Sequence, residues 1–316
     1  MLTPLAALIV ALAAAALLTP LVRYVARSQG LLDEPGERTV HDVAIPRLGG
    51  IAIAGAFYLG LAAALLVSSA GTSPLREADQ LVAVLLGAAL IVCIGIVDDL
   101  FGMRARAKLS AQIAVAVVVA LLSLSIDHLD GPWGSVVLGA WSVPLTVAWF
   151  VVVMNAINLI DGLDGLASGV VLIGMGAFYL IASAGGASPP IAAILAAGAG
   201  GVLGFLPYNL FPASIIMGDT GSILLGFLLA VAGVAVTQAS PPGAPPWVPA
   251  LALALPLGDT AWAIIRRVLA GAPVFAPDKR HVHHRLLAAG LSQRNAMLLL
   301  WGVSALFGLL AVLAAR

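Results

Sequence analysis

Residues 143–169 read VPLTVAWFVVVMNAINLIDGLDGLASG and set an apolar run directly beside four polar side chains. Asn155, Asn158, Asp161 and Asp164 follow one another at steps of three residues. A step of three turns a helix back by about 60°, so the first three share a broad face, and the glycines that follow let the backbone turn. A glycine-capped helix end with solvated aspartates would give the same pattern. The amides in an apolar context favour a functional site instead.

The composition identifies the environment of this stretch. Of the 316 residues, 61% are hydrophobic and only 9% are charged, and the mean hydropathy is +1.09. A soluble domain carries about 25% charged residues. The apolar runs are continuous rather than alternating, which predicts membrane-spanning helices and not a barrel. We therefore expect an all-α, polytopic membrane protein with a single domain over residues 1–316.

Ten runs approach the roughly 20 residues that a helix needs to cross a bilayer. They lie near 2–22, 49–70, 80–97, 109–126, 138–157, 166–183, 190–207, 221–238, 248–265 and 295–314. Arg23 and Arg27 follow the first run and nothing basic precedes it, which is unlike a cleaved signal peptide and places the N-terminus outside the cytoplasm. With ten spans, all of the 15 basic residues except Arg76 and Arg316 fall on the cytoplasmic side. Both termini are therefore expected on the extracytoplasmic side.

The distinctive polar residues gather on the side that holds the basic ones. Asp98 and Asp99 end the third span in IVDDLFGMRARAK, Asp219 begins the eighth in MGDTGS, and Asp259 lies in the ninth in PLGDTAW. Asp98 and Asp99 could mark only the point where a helix meets water, and Asp219 could be only part of an N-cap. Ionisable groups at membrane depth are costly, however, and usually face an interior site. Acidic and basic groups at one face suit a divalent cation that holds a phosphorylated ligand.

The loop PDKRHVHHR lies on the same side of the membrane and is rich in histidine. A zinc site is disfavoured because structural zinc needs four good ligands and because Lys279, Arg280 and Arg285 crowd the histidines with positive charge. Such a loop suits anionic oxygens, as in pyrophosphate recognition. The early loop ERTVHDVAIPRLGG brings three further candidates to this face: Arg38, His41 and Arg47.

Five motifs in this order resemble those of the polyprenyl-phosphate N-acetylhexosamine-1-phosphate transferases. They are RTVHDVAIPRLGG, DDLFGMRARAKLSAQ, NAINLIDGLDGLASG, MGDTGS and DKRHVHHRLL, and together they cover almost the whole chain. The resemblance implies transfer of a sugar 1-phosphate from a UDP-sugar to a membrane polyprenyl phosphate, which yields polyprenyl-diphospho-sugar and UMP. It also implies dependence on Mg²⁺, for which Mn²⁺ could substitute, and a site at the cytoplasmic face of a bacterial inner membrane.

The resemblance assigns roles by motif. Asp219 would be a magnesium ligand, helped by Asn158 or Asp161. Asp98 and Asp99 would lie against the lipid phosphate and form the catalytic set with Asp219. The remaining motif residues would bind the substrates. Lys108 would bind phosphate oxygens, and Asp161 and Asp164 would bind substrate, with Asp164 near the uracil. The nucleotide-sugar would be bound by Arg47, Arg280, His281, His283 and His284.

Two departures bear on the substrate. A third aspartate common in the family is replaced by Gly102, and the last motif reads His-Val-His-His instead of three consecutive histidines. The second departure favours UDP-N-acetylglucosamine over UDP-N-acetylmuramoyl-pentapeptide, whose transferase stays the alternative. A transporter would need a polar pathway to the outer side, where ionisable groups are scarce. The expected role is the first membrane step of cell-wall or surface-polysaccharide synthesis, with no nucleic-acid partner; small-residue helix faces would permit a homodimer.

Overall fold

Long helices joined by short connections make up most of the chain. The structure is a computed structural model that describes residues 2–34, 43–68, 75–122, 124–185, 189–239, 244–273 and 280–316. The predicted candidates Arg38, His41 and Lys279 lie outside these residues. The helices are α1 (Leu2–Ser28), α2 (Gly49–Val67), α3 (Leu75–Phe101), α4 (Ala105–Leu121), α5 (Ser142–Ile160), α6 (Leu166–Ala184), α7 (Pro189–Asn209), α8 (Gly218–Thr237), α9 (Trp247–Ala252), α10 (Ala254–Leu269), α11 (Val282–Ala288) and α12 (Gln293–Ala314).

Eight helices in the described part of the chain are long and apolar enough to cross a membrane. They are α1, α2, α3, α5, α6, α7, α8 and α12. Each coincides with a span expected from the sequence. The structure thus confirms a helical, polytopic membrane protein.

The two other expected spans are helical but differ from the expectation. The fourth corresponds to α4, which has 17 residues. The ninth is interrupted at Leu253, between α9 and α10. Pro256 has no N–H to donate to the carbonyl of Ala252 four residues earlier, so the series of backbone hydrogen bonds along the helix is interrupted there. The helical hydrogen bonds continue at Leu257, whose N–H donates to the carbonyl of Leu253 at 3.1 Å.

Two small antiparallel strand pairs accompany the helices, which the all-α expectation did not include. The strands are β1 (Leu32–Asp33) paired with β2 (Ile45–Pro46), and β3 (His128–Gly131) paired with β4 (Gly134–Val137). The β3–β4 hairpin connects α4 to α5. Gln238, just after α8, accepts from the backbone N–H of Asp127 at 2.9 Å and donates to the carbonyl of His128 at 2.8 Å. These bonds fix the hairpin against the C-terminal end of α8.

Helix α8 occupies the centre of the bundle. Of the 18 most apolar consecutive residues of α8, 94% are buried, whereas the corresponding share is 22% to 67% in the other seven spanning helices. It packs against α2, α3, α5 and α6. Because protein covers α8 on all sides, its first turn is held in a fixed position relative to the ends of the neighbouring helices.

Gly226 of α8 permits the close approach of α5, and this contact is testable. A Cβ at Gly226 would lie 2.6 Å from the Cα of Met154. We expect Gly226→Ala to lower the free energy of unfolding by about 1–3 kcal/mol, the usual cost of overpacking. Gly176→Ala is the matched control, because a Cβ there meets nothing described within 4 Å. Thermal unfolding in detergent should show a loss confined to Gly226→Ala, and equal losses would contradict the tight α5–α8 packing.

Candidate active site

Four helix ends bring the predicted acidic, basic and amide side chains together. Asp98 and Asp99 lie in the last turn of α3, and Lys108 lies in the first turn of α4. Asn158 lies in the last turn of α5, and Asp219 lies in the first turn of α8. The sequence predicted that these residues share one membrane face. The structure brings them into direct contact.

Lys108 is the centre of this cluster. Its Nζ lies 2.8 Å from Oδ2 of Asp98 and 2.9 Å from Oδ1 of Asp219. It also donates to Oδ1 of Asn158 at 3.3 Å. Its side chain is only 12% exposed. Breaking a buried pair by removing one partner leaves an uncompensated charge, so the lysine and its carboxylates depend on one another.

Asn158 joins the lysine to α8. Its Nδ2 donates to Oδ1 of Asp219 and, at 2.8 Å, to Oγ of Ser222. Ser222 was not singled out by the sequence analysis, although its place one turn after Asp219 in GDTGS could have indicated it. Asn155 lies one turn deeper and donates to Oε1 of Gln112 on α4 at 2.7 Å. Asn155 thus joins α4 to α5 beneath the cluster and does not contact it.

Asp161 follows the last residue of α5 and lies among other acids. Burial and, to a smaller extent, the charges of Asp219, Asp99 and Asp164 together raise the pKa of its carboxyl to about 8. In the described part of the chain, no group donates a hydrogen bond to this carboxylate. Such a side chain is ready to accept a cation, because a nearby positive charge favours its ionised form.

Asp164 and Arg47 are placed through backbone contacts around the start of α8. Oδ2 of Asp164 accepts from the backbone N–H of Ala213 at 2.9 Å, in the connection between α7 and α8. The strand β2 ends beside this connection, where the N–H of Ile216 donates to the carbonyl of Pro46 at 3.0 Å. Arg47 is the next residue after β2, and within the described residues its buried Nε has no hydrogen-bond partner.

Asp99 differs from its neighbour Asp98 in what it contacts. Oδ1 of Asp99 accepts from the backbone N–H of Asp219 at 2.8 Å. Oδ2 accepts from the N–H of Thr220 at 2.9 Å and from its hydroxyl at 2.6 Å. Asp98 instead accepts from the N–H of Met103 at 2.7 Å and pairs with Lys108. The two consecutive aspartates therefore bind different partners: Asp98 pairs with Lys108, and Asp99 binds the first turn of α8.

The histidine segment is held by Asp259 of α10. Oδ2 of Asp259 lies 2.7 Å from Nδ1 of His281, and Oδ1 accepts from the N–H of Val282 at 2.8 Å. The ring of His283 stacks on that of His281 with centroids 5.9 Å apart. A Cβ at Gly162 would collide with the His283 ring. This segment therefore packs directly beside the turn that carries Asp161.

The histidines and Arg280 differ in accessibility. His281 and His283 are 5% and 1% exposed. His284 is partly exposed and Arg280 is exposed. The sequence analysis noted Asp259 but gave it no role, because only the fold brings it to His281, 22 residues away.

The cluster has the oxygen chemistry of a divalent cation site. Among the described residues, no three histidine, cysteine, aspartate or glutamate side chains come close enough to hold a metal. The oxygens of Asp219, Asn158 and Asp161 are of the kind that Mg²⁺ prefers. Mg²⁺ commonly takes one or two carboxylates and completes its shell with water and substrate phosphates. The residues present fit that mode of binding.

The buried ring of His283 gives the fold a pH dependence. Burial and, to a smaller extent, the neighbouring His284 and His281 lower the pKa of His283 to about 3, although the charge of Asp259 acts in the opposite direction. An unfolded histidine takes up a proton near pH 6.5. The folded ring does not, so the free energy of unfolding falls as the pH drops below 6.5, by up to about 1.4 kcal/mol per pH unit.

We expect His283→Gln to remove this dependence while leaving His281, His284 and Asp259 in place. The measurement is the midpoint of thermal unfolding between pH 7 and pH 5, for both proteins in one detergent. The midpoint of the unsubstituted protein should fall more steeply with acidification than that of the variant. Parallel curves would show that His283 is not buried in its neutral form.

Comparisons with known proteins identify the family of the chain. Residues 81–237 match glycosyl transferase family 4. A probable undecaprenyl-phosphate N-acetylglucosaminyl 1-phosphate transferase of Bacillus subtilis is 38% identical over 308 residues, which cover 97% of this chain and 83% of that protein. The decaprenyl-phosphate N-acetylglucosaminephosphotransferase of Mycolicibacterium smegmatis is 38% identical over 89% of this chain and 74% of its own length.

A third relative extends the similarity. The undecaprenyl-phosphate alpha-N-acetylglucosaminyl 1-phosphate transferase of Yersinia pestis is 30% identical, over 93% of this chain and 80% of that protein. The family match over residues 81–237 covers every helix end that contributes to the cluster. The chain therefore belongs to glycosyl transferase family 4, among the polyprenyl-phosphate N-acetylglucosamine-1-phosphate transferases, and is an enzyme of that type.

Proposed function

We propose that the enzyme transfers N-acetylglucosamine 1-phosphate from UDP-N-acetylglucosamine to a membrane polyprenyl phosphate, with Mg²⁺ as cofactor. The products are polyprenyl-diphospho-N-acetylglucosamine and UMP. The reaction takes place at the cytoplasmic face of a bacterial inner membrane, and it begins cell-wall or surface-polysaccharide synthesis. The proposed topology has ten spans and both termini on the extracytoplasmic side.

The observation that carries this proposal is the Lys108 cluster at the ends of four helices. Its ammonium and carboxylates lie at one end of the bundle, where a lipid phosphate would reach them while its hydrocarbon tail stays in the bilayer. The names of the relatives support the lipid acceptor and the N-acetylglucosamine phosphate group. A transferase of N-acetylmuramoyl-pentapeptide phosphate is disfavoured by those names and by the His-Val-His-His motif.

Asp219, Asn158 and Asp161 are the residues that would hold Mg²⁺. When bound, the ion neutralises charge on the pyrophosphate of the donor. Asp161 is suited to this role because its carboxylate has no described donor, and Asp219 because its carboxylate lies beside the amide of Asn158. The partial positive charge at the start of α8 and the ammonium of Lys108 favour the anionic phosphates of the substrates.

The chain's own residues then orient the acceptor. The second pKa of a phosphate monoester is about 6, so the polyprenyl phosphate is mostly dianionic at pH 7 and needs no strong base. Lys108 binds its oxygens, and Asp98 orients it or takes its last proton. An oxygen of the lipid phosphate attacks the sugar-bearing phosphorus in line. The bond from that phosphorus to the bridging oxygen breaks, and UMP leaves with the electron pair.

The nucleotide side of the site is formed by residues from the loops. Arg47, beside the start of α8, and the exposed Arg280 bind the pyrophosphate of the donor. Asp164 lies nearer the uracil, and the segment His281–His284 closes this side against Gly162. Arginine suits phosphate oxygens because its planar fork can donate two hydrogen bonds at once.

The first test is UMP release by the purified protein with UDP-N-acetylglucosamine, polyprenyl phosphate and Mg²⁺. We expect release to require all three and to be abolished by Asp219→Ala, because that change removes a metal ligand and a partner of Lys108. Asp79→Asn, at the opposite end of the same helix that carries Asp98, is the control and should keep full activity. UDP-N-acetylgalactosamine and UDP-N-acetylmuramoyl-pentapeptide serve as competing donors. Release without lipid, or an active Asp219→Ala variant, would contradict the proposal.

The second test separates direct displacement from a two-step path through an aspartyl phosphate. The protein is incubated with UDP-N-acetylglucosamine labelled in the sugar-bearing phosphate, without lipid, and is then denatured. We expect no label on the protein, because the attacking group is the lipid phosphate itself. Label that is retained by the unsubstituted enzyme and lost in Asp98→Asn would establish the two-step path.

A further inference from the structure

The first turn of α8 lacks a capping side chain of its own. The N-terminal N–H groups of a helix have no partner inside the helix, and a serine, threonine, aspartate or asparagine at the N-cap commonly accepts from them. The N-cap of α8 is Met217, whose side chain makes no capping hydrogen bond. The first hydrogen bond within α8 comes from Gly221 to the carbonyl of Met217. The N–H groups of Asp219 and Thr220 therefore need an acceptor from elsewhere.

Asp99 of α3 supplies that acceptor. It takes one N–H on each carboxylate oxygen, at 2.8 Å and 2.9 Å, and the hydroxyl of Thr220 at 2.6 Å. Its residue exposure is 6%. An ionised carboxylate has two oxygens and about four acceptor positions, and three are occupied by this one helix terminus. The hydrogen bonds and the burial of Asp99 therefore fix its carboxylate at the start of α8.

Two glycines permit this approach. Gly218 has a left-handed φ of 68°, and a Cβ there would lie 2.7 Å and 2.8 Å from the two carboxylate oxygens of Asp99. Gly95, one turn earlier on α3, lies so close that a Cβ would be 2.8 Å from the backbone nitrogen of Thr220. The end of α3 and the start of α8 are therefore in contact along a whole turn.

Helix geometry explains why the two adjacent aspartates have separate tasks. Consecutive residues of a helix point about 100° apart. Asp98 points to Lys108, and Asp99 points to the backbone of α8. We infer that Asp99 is a positioning residue: it caps α8 from α3 and thereby fixes the carboxylate of Asp219 opposite Lys108 and Asn158, without contacting either substrate. This inference rests on the proposed function of Asp219.

The test uses three substitutions that differ by single polar groups. Asp99→Asn leaves one acceptor oxygen and turns an NH₂ group toward a backbone N–H. Thr220→Val keeps the shape of the side chain but removes the hydroxyl that donates to Asp99. Thr220→Ser keeps that hydroxyl and is the conservative rescue.

The first measurement is thermal unfolding of the metal-free protein in detergent, arranged as a double-mutant cycle. We expect Thr220→Val to lower the midpoint in the unsubstituted protein and to have much less effect beside Asp99→Asn, because the bond it removes is already disturbed. Independent, additive effects would overturn the capping role.

The second measurement is Mn²⁺ binding, followed by the loss of the free-ion signal in electron paramagnetic resonance. Asp99→Asn should weaken binding on the order of 10- to 100-fold, as changes to partners of metal ligands do. Thr220→Val should weaken it less, and Thr220→Ser should restore most of it. If Asp99→Asn cannot be purified folded, the contrast between the two Thr220 variants decides the matter.

The third measurement is steady-state kinetics of UMP release. A positioning role lowers kcat and leaves the KM for polyprenyl phosphate unchanged. A raised KM for the lipid in Asp99→Asn, with Mn²⁺ binding and thermal midpoint unchanged, would show instead that Asp99 contacts the acceptor. If the unsubstituted protein releases no UMP, the proposed function fails, while the unfolding cycle and Mn²⁺ binding still decide the role of Asp99.

Discussion

The ammonium group of Lys108 lies between two carboxylates that would otherwise repel each other at one end of the bundle. Two unit charges 4 Å apart interact by about 4 kcal/mol at an effective dielectric constant of 20. The cost of taking such groups out of water offsets much of this attraction. The net gain in stability is therefore small, and the main effect is geometric. Three helices keep one mutual arrangement because Asp98, Lys108 and Asp219 have charged partners only there.

The membrane class and the membership of the cluster followed from sequence because lipid constrains both strongly. A chain in hydrocarbon has to form its backbone hydrogen bonds within helices. Its ionisable residues are rare and usually lie at functional sites. Asn158, Asp161 and Asp219 could be selected on these grounds. The step of three also grouped Asn155 with them, yet a rotation of about 60° is enough to direct that amide to Gln112 on α4 instead.

Long-range pairing accounts for what sequence did not predict. The division of labour between Asp98 and Asp99 depends on where α8 begins relative to α3, and a dipeptide carries no signal of that. The pair Asp259–His281 depends on how the segment after α10 folds back. The break at Leu253 had a local signal in Pro256, which the apolar run around it obscured. The strand pair β1–β2 is too short for any periodicity to appear.

Three of the four helix ends that form the cluster belong to helices long and apolar enough to cross a membrane, namely α3, α5 and α8, so the site is connected to the surrounding lipid. Helix α3 has 27 residues and is about 40 Å long at a rise of 1.5 Å per residue. A tilt of about two degrees around its far end would move Asp98 by more than 1 Å, and misplacements of that size can cost about 10²-fold in rate. Spanning helices adjust to bilayer thickness partly by tilting. A membrane whose thickness changes the tilt of α3 would therefore change the position of Asp98 relative to Lys108.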